Sequence, residues 1–400
     1  MMEKQYLTAD LAGIGGKIKV FNADFCVTEL PLYTPCGHGQ HTYIDIEKEG
    51  IPTFEATRRI AKALGIDPRS IGYAGLKDAH AVTVQTLSIE HVLAAEIEKL
   101  ELPGIRILNV SQHTNKLKIG HLRGNQFTIR VRDVSPGAQP IAQAILDILA
   151  QRGVPNRFGE QRFGVRGDTD LLGRALVLGD TKSFIDRFVG MPHPAETAPI
   201  QRARQLYQDG KLKEALDVWP KQMQNERRVV HTLLDRPENS ERATRSIPYK
   251  MRKFFISAYQ SALFNRLLAR RLDAIDRLVV GDLAWIHNKG AVFDVQDPEI
   301  EQPRADALEI SPSGPLFGFK MTMPKGVPGE MERHILDQES LTLDDWRAAK
   351  FKGARRPLRF PLRESKIWYD DGLMISFVLP PGCYATIVLD EIMKSPRVTA

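Results

Sequence analysis

The chain has 400 residues, 42% of them hydrophobic and 26% charged, and its 55 lysines and arginines outnumber 49 aspartates and glutamates for a formal charge of +6. That composition describes a globular protein with a real core, in one large domain or two ordinary ones, and its modest basic excess is compatible with a polyanionic partner. Three cysteines are too few and too odd in number for a disulfide framework, no apolar run approaches the ~18 residues of a membrane span, and no basic-then-apolar leader opens the sequence, so a reducing cytosol and no membrane are expected.

Residues 17–48 read as strands, GKIKVFNADFCVTEL and then HTYIDIEKE, where Ile44 and Ile46 alternate with Asp45 and Glu47. A helix is predicted from about Thr53 to Leu64, stopped by Gly65. TVQTLSI, IRILNV, KLKIG and NQFTIRVRDV read as further strands, the last alternating Phe127, Ile129 and Val131. Pro140 opens a helix that buries Ile141, Ile145, Ile148 and Leu149 and ends at Gly153 and Pro155. From about 170 to 275 helical patterns dominate, closing in a long helix striped by Phe255, Tyr259, Leu263 and Leu267, which reads as core. Strand-like LAWIH and AVFDV follow, then a loop at SPSGPLFG and a helix near 330–339. The end of the chain turns sheet-like, with LMISFVL, a turn at Pro380-Pro381-Gly382 and a terminal helix or strand. Strands at both ends of a helical middle imply one split domain with another inserted.

Patterns that carry chemistry are few. The run Gly13 to Lys17 lacks the GxxxxGK[ST] spacing and a preceding strand, and no GxGxxG opens a helix, so no nucleotide cofactor is expected. Cys36, His38 and His41, with Cys26 upstream, are spaced too loosely for structural zinc and read as a polar turn, and no metal is expected. GYAGLKDAH is the strongest candidate, because Lys77, Asp78 and His80 crowd a small, apolar run in which Gly72 and Gly75 allow a larger body to approach. A surface turn, a structural Asp–Lys pair and a working carboxylate all fit, and the residues alone favour the structural pair. A carboxylate oriented by a lysine can serve as base or nucleophile without a cofactor. Basic residues also stand beside aromatics, as in Arg157-Phe158, Arg162-Phe163, Lys253-Phe254-Phe255, and Arg355, Arg356 and Arg359-Phe360. That pairing suits phosphate contact with stacking on unpaired bases, and equally suits arginine stems covering apolar surface.

GYAGLKDAHAVTVQ resembles the signature of the TruD family, the tRNA pseudouridine synthases that modify uridine 13. IKVFNADFCVTEL, HLRGNQFTIRV, GVPNRFGEQRFG and LPPGCYATIVLDEI agree with the family in the same order, and SPSGPLFG is similar to a further family segment. The resemblance implies an α+β fold: a pseudouridine-synthase domain of mixed, largely antiparallel sheet with helices over 1–155 and 346–400, interrupted by an inserted, mostly helical α/β TRUD domain over 156–345. It implies that Asp78 is the catalytic aspartate, that Lys19 pairs with it, and that Asn125 and Phe127 line the uracil pocket. Lys77 is then a phosphate or structural contact, pointing away from Asp78 in an extended chain. The implied reaction turns uridine into pseudouridine in tRNA, at uridine 13, by base flipping and without a cofactor. Arg157, Arg162 and Arg166 at the crossing into the insertion, and Arg355, Arg356 and Arg359 near the return, are expected RNA contacts. The protein is expected to be a cytoplasmic monomer with no obligatory protein partner. Two competing readings are a non-catalytic RNA-binding protein or RNA chaperone on the same scaffold, and a cofactor-free hydrolase using Asp78 and His80.

Overall fold

A computed structural model describes residues 5–395 and divides the chain into two compact units. The first unit holds the chain up to Val154 and again from Phe360, and the second is Pro155–Arg359. The second unit thus runs past the boundary expected at 345, because Ala354–Pro357 forms a strand antiparallel to Ile310–Leu316, with Arg356 opposite Gly314. The α+β class with largely antiparallel sheet agrees with the expectation.

The first unit is built on one sheet whose strands run in the order Arg363–Tyr369, Leu373–Leu379, Leu122–Val131, Phe25–Pro31, Val82–Glu90, His41–Glu49 and Ile105–His113, with Gly72–Tyr73 paired to Val82–Glu90. Every pairing is antiparallel except that of Phe25–Pro31 with Val82–Glu90. Pairing registers place Lys48, Thr83, Val27, Phe127 and Phe377 in one row across five strands, so these side chains share a face. Helices Ala138–Arg152 and Ala385–Met393 cover one end of that face with Ile145, Leu149, Ile387 and Val388 against Phe127, Ile129 and Phe377. Helix Thr53–Leu64 covers the other end, with Ala56 and Ile60 against Ile44, Ile46 and Leu87.

Three local expectations are corrected. The first strand starts at Phe25, not 17, because Lys19 adopts φ 57° and breaks the extension. KLKIG is a loop that turns through Gly120 at φ 93°. SPSGPLFG, expected as loop, supplies the buried strand Ile310–Leu316. Two prolines fit there because the strand is paired half by half: Ile310 to Pro312 bond to Leu283–Ile286, and Ser313 to Leu316 to Ala354–Pro357. The terminal segment left open between helix and strand is the helix Ala385–Met393.

The second unit combines a helical half, cored by Phe184, Phe188, Trp219, Val230 and Phe255, with a four-stranded antiparallel sheet ordered Ala354–Pro357, Ile310–Leu316, Leu283–Ile286, Ala291–Asp294. Among the described residues no helix is long and apolar enough to cross a membrane.

Candidate active site

Asp78 lies on the loop between strands Gly72–Tyr73 and Val82–Glu90. Side chains alternate along it: Leu76 and Asp78 are exposed while Lys77 turns inward. The ammonium of Lys77 donates to Glu29 Oε2 at 2.5 Å with both side chains buried, and its backbone N–H donates to Thr53 Oγ1 at 2.9 Å. The Thr53 hydroxyl in turn donates to Gln85 Oε1 at 2.9 Å. Of the two roles expected for Lys77, the structural one is therefore the one it fills; a buried ion pair leaves nothing for a phosphate.

Two other lysines hold Asp78 itself. Lys19 Nζ donates to Asp78 Oδ2 at 2.9 Å and lies 4.3 Å from the centre of the Phe25 ring. Lys48 is only 1% exposed, and its ammonium donates to the backbone carbonyls of Ile51 at 2.5 Å and Asp78 at 3.1 Å. Burial lowers Lys48 to about 8, against the attraction of the Asp78 carboxylate. The carboxylate stays open despite these anchors: the Asp78 side chain is 57% exposed and that of Lys19 27%.

The left-handed turn at Lys19 is pinned on both sides. Lys17 and Arg132 exchange two backbone hydrogen bonds of 2.8 Å. Buried Asp24 accepts from the Phe21 N–H at 3.0 Å and from Arg132 Nε and Nη2 at 2.9 and 2.7 Å. The Arg132 guanidinium holds the Asp24 carboxyl below the usual carboxylate range. A short arc of chain is thereby fixed with Lys19 at its crest.

Asn125 and Phe127 share the strand Leu122–Val131, and Asn125 stands opposite Glu29 while Phe127 stands opposite Val27. The Phe127 ring packs 6.1 Å from Phe25 edge-on and 5.7 Å from Phe377, and the residue is 8% exposed. Asp78, Lys19, Phe25 and Phe127 thus form a continuous chain of contacts on one face of the sheet. The Asn125 Oδ1 atom is buried and, among the described residues, without a hydrogen-bond partner. His80 is exposed, and among the described residues no hydrogen bond joins it to Asp78. The hydrolase reading, which needs those two residues to act together, finds no support in this geometry.

The six arginines expected as RNA contacts all lie in the second unit. Arg355 is buried, bidentate to Glu332 at 2.8 Å, and Arg359 is fully buried, donating to the Ala305 carbonyl at 2.6 Å. Arg166 pairs with Asp168 at 2.5 Å. Arg162 donates to Ser257 at 2.7 Å and lies 5.2 Å from the Phe254 ring, while Arg356 lies 4.3 Å from the Phe158 ring. Arg157 is half-buried. For Arg355, Arg359 and Arg166 the expected phosphate contact is corrected: their charges are spent on internal acceptors. Arg162 and Arg356 lie against aromatic rings, as arginines covering apolar surface would.

Glu29 and Lys48 were not among the expected site residues, yet the sequence carried a signal for each. Phe25, Val27 and Glu29 have one parity along their strand, and Ile44, Ile46 and Lys48 along theirs, so both charges sit at inward positions. A buried charge requires a partner, and both partners lie on the Asp78 loop.

The chain is similar to known proteins along nearly its whole length. The family model for tRNA pseudouridine synthase D (TruD) matches residues 1–392. Proteins described as tRNA pseudouridine synthase D are 47% identical over 98% of both chains in Geobacter sulfurreducens, and 48% identical over 99% of both chains in Geobacter metallireducens. The crystal structure of a putative tRNA pseudouridine synthase D (TruD) from Methanosarcina mazei matches with a TM-score of 0.87 at 30% identity, covering 98% of this chain and 96% of that one. With the match running nearly end to end in each comparison, the chain belongs to the TruD family.

Proposed function

We propose that the protein isomerises a uridine of tRNA to pseudouridine, at position 13, using Asp78 without a cofactor. The observation that carries this reading is an open carboxylate held by Lys19, on a loop anchored through Lys48 at the Asp78 carbonyl and through Lys77 at Glu29, in a chain whose relatives are named tRNA pseudouridine synthase D. A non-catalytic RNA-binding scaffold would leave that expensive arrangement unexplained. We assign the catalytic domain to the first unit, which holds Asp78, and the TRUD domain to the second.

The chemistry balances within the substrate. The N1–C1′ bond breaks, the uracil turns, C5 bonds to C1′, C5 gives up its proton and N1 takes one. No oxidant, reductant or phosphoryl donor enters. A glycosidic bond inside a stacked arm is out of reach, so the nucleotide must swing out to meet Asp78. The carboxylate then attacks the substrate as nucleophile or removes a ribose proton; both roles need the same exposed, oriented oxygen. Phe127 forms the floor beneath the uracil, and the unpartnered Asn125 Oδ1 accepts a base N–H. Phe127→Leu is expected to lower kcat about tenfold while tRNA Kd changes less than about twofold, since phosphates supply most affinity. A steady-state assay with a parallel binding titration checks this.

Lys48 orients Asp78 from the backbone side and adds positive charge beneath the carboxylate. Lys48→Met is expected to cut kcat about 10- to 100-fold with KM little changed. The ammonium exists below about pH 8, so wild-type kcat should decline as pH rises through that value, and Lys48→Met should lose that limb. Stability runs the other way. The folded lysine releases its proton near 8 and the unfolded one near 10.5, so the unfolded chain binds more protons in between and wild-type stability relative to Lys48→Met rises over that interval. Opposed pH trends in activity and stability separate a positioning role from a merely structural one.

Mapping pseudouridine in the tRNA of a strain lacking this gene tests the position. Loss at uridine 13, restored by the wild-type gene, is expected; a modification that persists there would remove position 13 from the account.

A further inference from the structure

The geometry points to a tRNA-backbone docking surface at the start of the long helix Tyr249–Arg270, formed by Tyr249, Lys250, Arg252 and Lys253 with Arg228 beside them. It rests on the reading of tRNA as substrate and replaces the buried arginines as the source of phosphate contacts in the second unit.

Four observations converge. First, residues 242–272 contain eight lysines and arginines and no aspartate or glutamate, although acids and bases nearly balance over the whole chain. Some of these charges are used internally, as in Arg266 with Glu339, Arg271 with Asp282 and Arg245 with Glu241. Lys250 and Lys253 are exposed, and among the described residues neither they nor Arg252, whose Nε donates to the Ile247 carbonyl at 3.2 Å, has a carboxylate within 4.0 Å. Second, the helix begins after Pro248 with no side-chain cap and no acid in its first turn. Lysine there opposes the positive end of the helix dipole, so the arrangement costs the free protein stability that an acid would add. Third, the aromatic is presented rather than buried. Tyr249 is 55% exposed, with Lys253 Nζ 4.8 Å and the Arg252 guanidinium 5.8 Å from its ring centre. Fourth, the neighbouring helix adds exposed Arg228, whose Nη1 donates to the Ser246 carbonyl at 3.2 Å, just before the turn into Tyr249.

Tyr249 and Lys253 are four apart and meet on one ridge of the helix, while the core stripe through Phe255, Tyr259 and Leu263 faces the interior. An exposed ring flanked by cations free of acids fits a phosphodiester chain with an unpaired base stacked on the tyrosine. An acidic protein face would be served by the cations alone and leaves the presented ring without a role.

The test uses the full chain with Asp78 intact. Lys250→Glu with Lys253→Glu is expected to weaken tRNA binding at least about tenfold at moderate salt, and to make the plot of log affinity against log salt shallower by about two contacts' worth. Tyr249→Ala is expected to weaken binding roughly tenfold with the salt slope unchanged. Turnover at saturating tRNA should stay within about twofold of wild type, and the double charge reversal should melt no lower than wild type, since acids suit that helix end. Unchanged tRNA affinity and salt slope in both variants would overturn the proposal, and so would unchanged affinity together with wild-type binding to anionic phosphatidylglycerol vesicles that the variants lose. Failure of the underlying reading is seen separately, as a wild-type protein that does not turn over tRNA at all.

Discussion

Asp78→Asn should bind tRNA as wild type does and lose at least about 10⁴-fold in turnover, the scale seen when a group acting directly on the substrate is removed. The substitution is nearly isosteric. The amide oxygen can still accept from Lys19, and the backbone carbonyl keeps its hydrogen bond from Lys48 at 3.1 Å, so the loop should hold its place. What disappears is the charge, and with it both the nucleophile and the base. Because the side chain is exposed, thermal stability should scarcely move. Single-turnover kinetics with a parallel anisotropy titration read both halves of the expectation. Turnover near wild type would take Asp78 out of the reaction; a matching collapse of affinity would make it a docking residue.

Lys77→Met should be the most destabilising single change near the site, at about 3–5 kcal/mol, because it strands the Glu29 carboxylate inside the protein. Burial already pushes the Glu29 carboxyl up, and Lys77 opposes that push across 2.5 Å. Without the lysine the folded carboxyl rises further and binds protons that the unfolded chain does not. The defect should therefore shrink as pH falls and grow as pH rises through that carboxyl's range. Adding Glu29→Leu should restore most of the stability, since a matched apolar pair in such a place is often neutral. Urea titrations of the two single variants and the double variant form the cycle. If the double variant were as unstable as the single ones, the pair would not be the reason the loop stays in place.

Much of this arrangement could be read from residue order. The sheet and its inward face follow from alternation, as in Phe127, Ile129 and Val131, and the Asp78 loop stands out because three ionisable side chains interrupt a small, apolar run. What resisted reading was set by contacts distant in sequence. That Lys19 rather than Lys77 meets the carboxylate depends on a left-handed turn at Lys19, which Asp24 and Arg132 enforce from 108 residues apart. The arginines misled for a related reason. Arg355 and Arg359 look like surface charge beside aromatics, yet they lie on a strand and its continuation whose partner, Ile310–Leu316, reads as a loop because of its prolines and glycine. Once that segment pairs, Glu332 and Ser311 become the partners of those arginines.

Tritium release from tRNA carrying uridine labelled at C5, incubated with the purified wild-type protein alone, probes the assigned chemistry at the atom that must change hands. One tritium liberated for each pseudouridine formed, with no added cofactor and none liberated by Asp78→Asn, is the predicted outcome. Label retained in full on a tRNA that the protein demonstrably binds would contradict it.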